Sequence, residues 1–238
     1  MSFSNAAENS LWLLIFNNTN YANVGDATGL RGSTAAGSLF VTLHSADPGE
    51  AGNQGTSEIT TGQHGGFARQ AVARSGAGWT VSGTAPTQVV NAADIAWPVG
   101  TAGSGTIAKF FSIGVSGTLG DSGVIIVSGE LLGPAVVVTV DTAADKLLAT
   151  SHGFTNGQAV QVRVANGTFP APLATATQYF VVGATTNDFQ VSATQGGSAI
   201  DLTTVGSGTI TVALDKSIPV GLNVTPKILA SQLVATLD

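Results

Sequence analysis

Apolar and polar residues alternate with a period of two along most of this chain. Between residues 38 and 45, Leu39, Val41 and Leu43 fall on one face of an extended strand and the intervening residues fall on the other. Segments rich in Gly, Ser, Thr and Asn, which suit turns, separate such stretches, and no long helix recurs between them. The pattern predicts an all-β fold: an antiparallel β-sandwich or jelly-roll-like domain. The further strands expected in the first part of the chain are 67–74, 79–82, 95–97, 107–115 and 124–132.

One segment near the start has helical character. Asn5 is placed to cap a helix over residues 6–16, and Glu8 can reach back to it as in a capping box. Apolar side chains cover more than half of this helix, so it packs on its own β core or buries part of its surface against a partner subunit. Under the second alternative the candidate subunit contacts are Leu11, Trp12, Ile15 and Phe16.

The pattern of the sequence changes after residue 135. A second set of alternating segments follows, and the residues after Lys216 then supply strands that the first part lacks. We therefore expect a host domain made of residues 1–135 and 216–238, with a small β module, 136–215, inserted in it and projecting from one tip. The strands expected in the module are 136–140, 141–150, 158–164, 179–182, 189–193, 200–203 and 211–214, and those expected to close the host are 218–226 and 233–237.

Charge is scarce in this sequence. Only 9% of the residues are charged, against about 25% in an ordinary soluble domain. A free monomer uses charges to stay soluble and to keep its strand edges unpaired, so the composition favours a subunit of an assembly over a diffusing enzyme. The net charge is −6, and the eight basic residues are too scattered to neutralise a row of phosphates. Nucleic-acid binding is therefore not expected.

The composition also bears on the compartment. The chain has no cysteine, which excludes disulfides and thiolate metal sites. Its first ten residues contain no Lys or Arg, and the apolar run 11–16 is far shorter than the ~20 residues that span a bilayer. We expect a protein made in the cytoplasm, without a membrane partner.

The sequence shows no motif typical of a catalytic, cofactor-binding or metal site. The three histidines form no His-x-x-x-His pair, and there is no Gly-x-Ser-x-Gly elbow, P-loop or dinucleotide fingerprint. Fourteen acidic residues leave open a pair of carboxylates suited to glycoside hydrolysis. The expectation is a protein without enzymatic activity or cofactor.

The histidines have structural interpretations. His44 ends a strand just before the turn at Asp47, so its ring is expected to hydrogen-bond that turn and fix the loop; a ligand or pH-sensing role is the alternative. His64, flanked by glycines, is expected in a mobile loop, and His152 in a turn of the module.

Two arginines share one expected strand. The odd spacing of Arg69 and Arg74 places them on opposite faces, so one of them faces inward or toward an interface, where it can pair bidentately with an acid such as Glu58. Both are candidate subunit contacts. The three tryptophans, Trp12, Trp79 and Trp97, are expected as core anchors rather than as a sugar-stacking platform.

Several longer motifs carry a resemblance to known proteins. They include the apolar helix after Ala6-Ala-Glu8, the run 43–54 (LHSADPGEAGNQ), the segments 67–74 and 78–81, and the closing segments 224–226 and 235–238. Over most of residues 5–132 and 216–238 the chain resembles a family of small virion proteins of tailed bacteriophages, known as structural, decoration or fibre-like proteins. The segments 151–157, 169–173, 179–182 and 196–203 resemble a small β module found in many phage tail and surface proteins.

The resemblance implies a place in the virion. The main expectation is a capsid decoration (cement) protein on the outer surface of the head. It would bind the major capsid protein and copies of itself, as a dimer or trimer, and so stabilise the lattice. The candidate subunit contacts named above are then candidate subunit or capsid contacts. The alternative is a tail- or fibre-associated protein whose inserted module meets the host surface or its glycans. A wall-degrading enzyme is a third class, and it would require the paired carboxylates noted above.

Overall fold

A computed structural model describes residues 4–22, 24, 29–30, 32–82 and 87–237; Asp238, which ends the closing segment, lies outside them. The chain forms two compact units, Met1–Leu131 with Ser217–Asp238 (unit 1) and Leu132–Lys216 (unit 2). Every strand pairing in the described residues is antiparallel, and a single helix precedes the strands. The expected fold class, an all-β antiparallel sandwich with a short N-terminal helix, is confirmed.

The described residues of unit 1 form one helix and eleven strands. A four-stranded sheet, β2-β1-β7-β8, and a three-stranded sheet, β18-β4-β3, are accompanied by the pairs β16-β6 and β17-β5. Apolar residues of both larger sheets, among them Val41, Ile113 and Val89, share one core with the helix. The elements are α1 (Asn5–Asn17), β1 (Ser38–His44), β2 (Gln70–Ala73), β3 (Trp79–Ser82), β4 (Thr87–Asn91), β5 (Ile95–Ala96), β6 (Thr106–Ala108), β7 (Phe110–Gly114), β8 (Ile125–Glu130), β16 (Ile218–Val220), β17 (Lys227–Ile228) and β18 (Val234–Leu237).

The cap of α1 differs from the expected one. Ser4, not Asn5, is the N-cap, and its hydroxyl accepts a hydrogen bond from the backbone N of Ala7 at 3.3 Å. Because the helix begins one residue earlier than expected, Glu8 is not placed for a capping box. Its carboxylate is buried and accepts instead from the Thr87 hydroxyl, at 2.7 Å.

Strand β1 is buried on both faces. Leu39, Val41 and Leu43 point into the core, as the alternation predicts, while Thr42 and His44 on the other face are also fully buried. A polar pair on the second face of a central strand needs buried hydrogen-bond partners. The candidate functional site described below supplies them.

The expected strand 107–115 is two strands. The chain changes partners at Lys109, because β6 pairs with β16 while β7 pairs with β1 and β8. The backbone N–H of Lys109 donates to the His44 carbonyl at 2.9 Å. Two further strands, β4 and β17, were not expected from the sequence.

Unit 2 is a sheet that closes on itself. Its strands are ordered β10-β11-β14-β13-β12-β15-β9, and the two end strands, β9 and β10, are separated in the chain by Val138 alone. The segment 136–141 therefore pairs with β15 on one side and with β11 on the other, and a small barrel forms around an apolar core. The strands are β9 (Val136–Val137), β10 (Thr139–Asp141), β11 (Lys146–Leu148), β12 (Ala159–Ala165), β13 (Gln178–Val182), β14 (Asp188–Ser192) and β15 (Thr209–Leu214).

The expected strand at 200–203 is wrong. Leu202 is buried in the core of unit 2, and its backbone N donates to the Asp145 carboxylate at 2.9 Å. Its backbone bonds are divided, since Ile200 N donates to the Val191 carbonyl of β14 and Thr203 N donates to the Ala171 carbonyl, each at 2.8 Å, so the segment covers the core without forming a strand ladder.

No helix in the described residues is long and apolar enough to span a bilayer.

Candidate functional site

A buried ion pair lies behind the four-stranded sheet of unit 1. The guanidinium of Arg69 donates from Nε to Glu58 Oε1 at 2.7 Å and from Nη2 to Glu58 Oε2 at 2.9 Å. Both side chains are almost completely buried. The bidentate pairing of Arg69 with Glu58 that the sequence suggested is thus present, and it is internal to the chain.

The remaining hydrogen bonds of this pair reach two other parts of the chain. Glu58 also accepts from the Thr42 hydroxyl at 2.6 Å and from the backbone N of Gly120 at 2.9 Å. Arg69 also donates to the carbonyls of Ser116 at 3.0 Å and Asp121 at 2.7 Å. The Glu58 carboxylate thus accepts four short, charge-assisted hydrogen bonds. These bonds compensate for the burial of the charged pair.

Gln54 connects its own loop, residues 45–57, with the loop 115–124. Its amide accepts from the backbone N of Ser116 at 2.8 Å, and the backbone N of Gln54 donates to the Gly123 carbonyl at 2.9 Å. A side chain at Gly114 would collide with the Gln54 amide, so a glycine is needed there. The loop 45–57 and the loop 115–124 are therefore held together by buried polar contacts.

His44 fastens the loop 45–57 to the sheet. Nδ1 lies 2.8 Å from the Thr56 carbonyl and Nε2 lies 2.8 Å from the Ser112 hydroxyl. The ring bonds the far end of the loop rather than the turn at Asp47, which makes its own contact from the Asp47 carboxylate to the Gly49 N–H at 2.9 Å. Burial lowers the pKa of His44 below its ordinary value, against the opposing effects of the Thr56 hydrogen bond and of Glu58.

The His44–Ser112 contact has the distance of a base and a nucleophile. A working dyad also needs a reacting carbonyl beside the hydroxyl. Both residues are 0% exposed, and the hydroxyl is enclosed between two strands of the sheet. This pair therefore acts as an internal fastening.

An open groove of about 390 Å³ lies over the two loops. It is lined by backbone of the glycine-rich loop 45–57 and by one side of β8. Val124 at its edge is 66% exposed, although it is apolar. Besides Gly49 and Gly52, the residues that line it are Glu50, Asn53, Ser122, Val124, Ile125, Ile126 and Ser128.

Half of the helix contacts expected from the sequence are core residues. Trp12 and Phe16 are buried, and the Phe16 ring packs edge-on against Trp79 with 4.9 Å between centroids. Leu11 and Ile15 are half-buried. As contacts with another protein, Trp12 and Phe16 are wrong, because the three-stranded sheet of this chain already covers them; the same holds for Arg69, which its ion pair encloses.

Arg74 binds the C-terminal end of α1. Its guanidinium donates to the carbonyls of Leu14 and Ile15, each at 2.7 Å, near the C-terminus of α1. These carbonyls lack partners within the helix, and a cation at this end also complements the helix dipole. The side chain is half-buried, so its role in the chain is to hold α1 against β2.

The other histidines are structural as well. The expectation of a mobile loop around His64 is wrong: the ring is fully buried, Nε2 donates to the Pro98 carbonyl at 3.0 Å, and Nδ1 accepts from the backbone N of Gly221 at 3.0 Å. His152 packs against Phe154 and Phe189 in unit 2. The tryptophans are core anchors as expected, since Trp12, Trp79 and Trp97 are each no more than 4% exposed. The described residues hold no group of three or more His, Asp or Glu side chains that could bind a metal ion.

A family model described as podophage GP4 fiber I protein gp80 matches residues 2–152. The chain belongs to this family. It is therefore a structural protein of a bacteriophage virion. The gp80 match includes the whole loop 45–57, the ion pair, the loop 115–124 and the first three strands of unit 2. No curated protein matches the chain.

Sequence reasoning missed the partners that complete this site. Thr42, Gln54, Ser112 and Gly120 were not singled out. A signal was available for Thr42, because the alternation of β1 places it on the same face as His44. The others are brought in by pairing between segments far apart in the chain, which no local pattern displays.

Proposed function

We propose that this protein is a fibre-associated structural subunit of the phage tail that takes part in host-surface adhesion. The observation that carries the proposal is the family match, because a fibre protein family covers residues 2–152. That description favours the tail alternative over capsid decoration, the function that the sequence alone favoured.

The protein works by binding rather than by catalysis. Among the described residues, the Ser–His contact with catalytic spacing, between Ser112 and His44, is buried inside the sheet. The carboxylate of Glu58, in the same site, has its oxygens occupied by Thr42, Arg69 and Gly120. Neither group is free to act on a substrate.

Its partners are copies of itself, as a dimer or trimer, and other virion proteins, without nucleic acid or membrane. The low charge of the chain supports assembly, since a weakly charged surface opposes association less. Exposed apolar residues beside the edge strand β8 support it too: Val115 is 54% exposed and Val124 66%.

Capsid decoration is the second candidate. The same scarcity of charge suits a protein that covers the outer head lattice and binds the major capsid protein. A protein that binds only the assembled lattice would stabilise it by mass action.

The copy number per purified virion separates the two candidates. Quantitative mass spectrometry against the major capsid protein, combined with immunogold labelling of unit 1, should give a few to tens of copies, with the label on the tail. A ratio close to that of the capsid protein, with the label on the head, would refute the fibre proposal and establish decoration.

The inserted module is proposed to make the host contact. Phage that carry a deletion of residues 136–215 should still assemble, but their adsorption to the host should be poor. Tryptophan fluorescence controls for misfolding, because all three tryptophans lie in unit 1. Normal adsorption by virions that contain the folded, shortened protein would disprove the role of the module while leaving the place of the protein in the virion untouched.

A further inference from the structure

The buried ring of His64 joins three segments of unit 1 into one surface. Nε2 donates to the Pro98 carbonyl, and Nδ1 accepts from the backbone N of Gly221, each at 3.0 Å. The ring thus ties its own segment to two others that are remote in the chain. We call this surface the uncharged face, and it consists of residues 60–66, 98–107 and 218–225.

Backbone contacts hold the uncharged face in one shape. The backbone N of Gly65 donates to the Ala102 carbonyl at 2.7 Å, and that of Asn223 donates to the Gly100 carbonyl at 2.8 Å. The second and third segments also pair through β6 and β16. A side chain at Gly100 would collide with the Gly221 carbonyl, so the two segments pack closely. A surface that is already ordered loses little conformational entropy when it binds a partner.

The uncharged face combines exposed apolar side chains with an absence of charge. Its three segments contain no Asp, Glu, Lys or Arg, and the ring of His64 is 0% exposed. Val99 and Ile107 are each 50% exposed, and Leu222 is 55% exposed. Exposed aliphatic side chains grouped on one ordered surface are typical of a site that binds another protein.

The chemistry of the face favours a second copy of this chain as the partner. The three segments contain no aromatic residue that could stack on a sugar, and no cation that could attract a phosphate or an anionic lipid. The chain carries a net charge of −6, so two copies repel each other in general.

A face without charge escapes this repulsion. Groups near a two-fold axis lie beside their own copies, so a charged group there would meet a like charge. The other grooves of unit 1 are less suited to such a contact, because Glu50 lines the groove over β8 and Asp94 lines a groove along β2.

We propose that the uncharged face packs against the same face of a second copy, around a two-fold axis. The proposal rests on the self-association put forward above and names the surface that carries it. The three segments together are comparable in size to one side of a standard interface, about 20–30 residues. Val115 and Val124 beside β8 then remain available to a different virion protein.

The first test is the mass of the full chain in solution, measured by analytical ultracentrifugation over a range of concentrations. The wild type should approach twice its chain mass of 23.7 kDa. Leu222→Asp brings two carboxylates together at the contact and should raise the dissociation constant of the dimer by about 100-fold or more. Val124→Asp, at the groove over β8, is the matched control and should dimerise as the wild type does. Tryptophan fluorescence checks that each variant is folded.

The second test uses the absence of cysteine from the chain, and it adds no charge to the face. Leu222→Cys carries a single thiol. A short bismaleimide should therefore link two copies of Leu222→Cys, and it should leave Val124→Cys unlinked at the same concentration.

The outcomes separate this surface from the wider proposal. A dimer that survives Leu222→Asp and does not cross-link through Leu222→Cys would overturn the uncharged face as the contact, while self-association would stand. Dissociation by Val124→Asp alone would assign the contact to the β8 side and overturn the proposal as well. A monomeric wild type would refute both the contact and self-association in solution. The place of the protein on the tail is tested independently, by its copy number in the virion.

Discussion

Replacing Arg69 with methionine removes the cation from the buried ion pair and leaves Glu58 charged. Glu58 would keep only the Thr42 hydroxyl and the Gly120 N–H as donors. The Asp121 carbonyl would lose its contact with the guanidinium, and the Ser116 carbonyl would keep a contact with the Gln54 amide at 3.3 Å. Removing one partner of a buried pair costs about 3–5 kcal/mol, and the four hydrogen bonds that Arg69 loses place this variant within that range.

The assay is urea unfolding followed by tryptophan fluorescence, which reports unit 1 alone because Trp12, Trp79 and Trp97 all belong to it. A domain stable by about 5–15 kcal/mol can lose this much and still fold. The double variant Arg69→Met with Glu58→Leu should recover part of the loss, since replacing both charges by apolar groups removes the stranded carboxylate.

Lys227→Met provides a matched control in the same unit. The Lys227–Asp94 pair is exposed, with side chains 42% and 44% accessible, so its removal should change the unfolding midpoint very little. If Arg69→Met behaved like Lys227→Met, the assignment of Glu58 and Arg69 as a buried, stabilising pair would be refuted.

Three further predictions concern other parts of the chain. Arg74→Met removes the donor to the last carbonyls of α1 and should destabilise unit 1 by about 1–2 kcal/mol in the same titration; no change would mean that the helix end is satisfied without it. Leu147→Ala opens a cavity in the unit 2 barrel and should lower the free energy of unfolding of unit 2 by about 2–5 kcal/mol, followed by circular dichroism. The unfolding transition of unit 1, followed by tryptophan fluorescence, should stay where it is; a shift would contradict separate cores. Burial holds the pKa of His44 below its ordinary value, so the unfolded chain takes up a proton that folded unit 1 does not. Its contribution to stability is complete above about pH 6.5 and falls as the pH drops below that value; urea midpoints should show this fall in the wild type and a flatter one in His44→Asn.

Much of the fold follows from local patterns. β1 and β3 lie where the alternation places them, and the helix is displaced by one residue at its start. β4 escaped prediction because its ends, Thr87 and Asn91, are polar residues that are buried only through distant partners, Glu8 and the chain before β18. The segment 200–203 has the alternation of a strand, but its backbone bonds go to Val191 and to Ala171, which are remote from each other in the chain, so no ladder with one strand forms.

The site was predictable only in part. The spacing of Arg69 indicated an inward-facing cation and Glu58 as its acid, and both are present. Which residues of α1 face outward could not be read from their hydrophobicity, because Trp12 and Leu11 look alike until the position of β3 is known. The glycines beside His64 suggested mobility, yet contacts with Pro98 and Gly221, remote in the chain, bury the ring.

The closure of the unit 2 barrel has a consequence for the order of events during synthesis. Strands β16, β17 and β18, which complete unit 1, leave the ribosome only after all of Leu132–Lys216 has been made. Leu132 and Asp215 form a β-bridge, so a folded barrel brings its two ends together. If the barrel forms first, the rest of the chain closes a short connection instead of a flexible one of more than eighty residues, a saving of roughly 3 kcal/mol in loop entropy. The inserted segment then acts as an internal folding aid for the unit it interrupts.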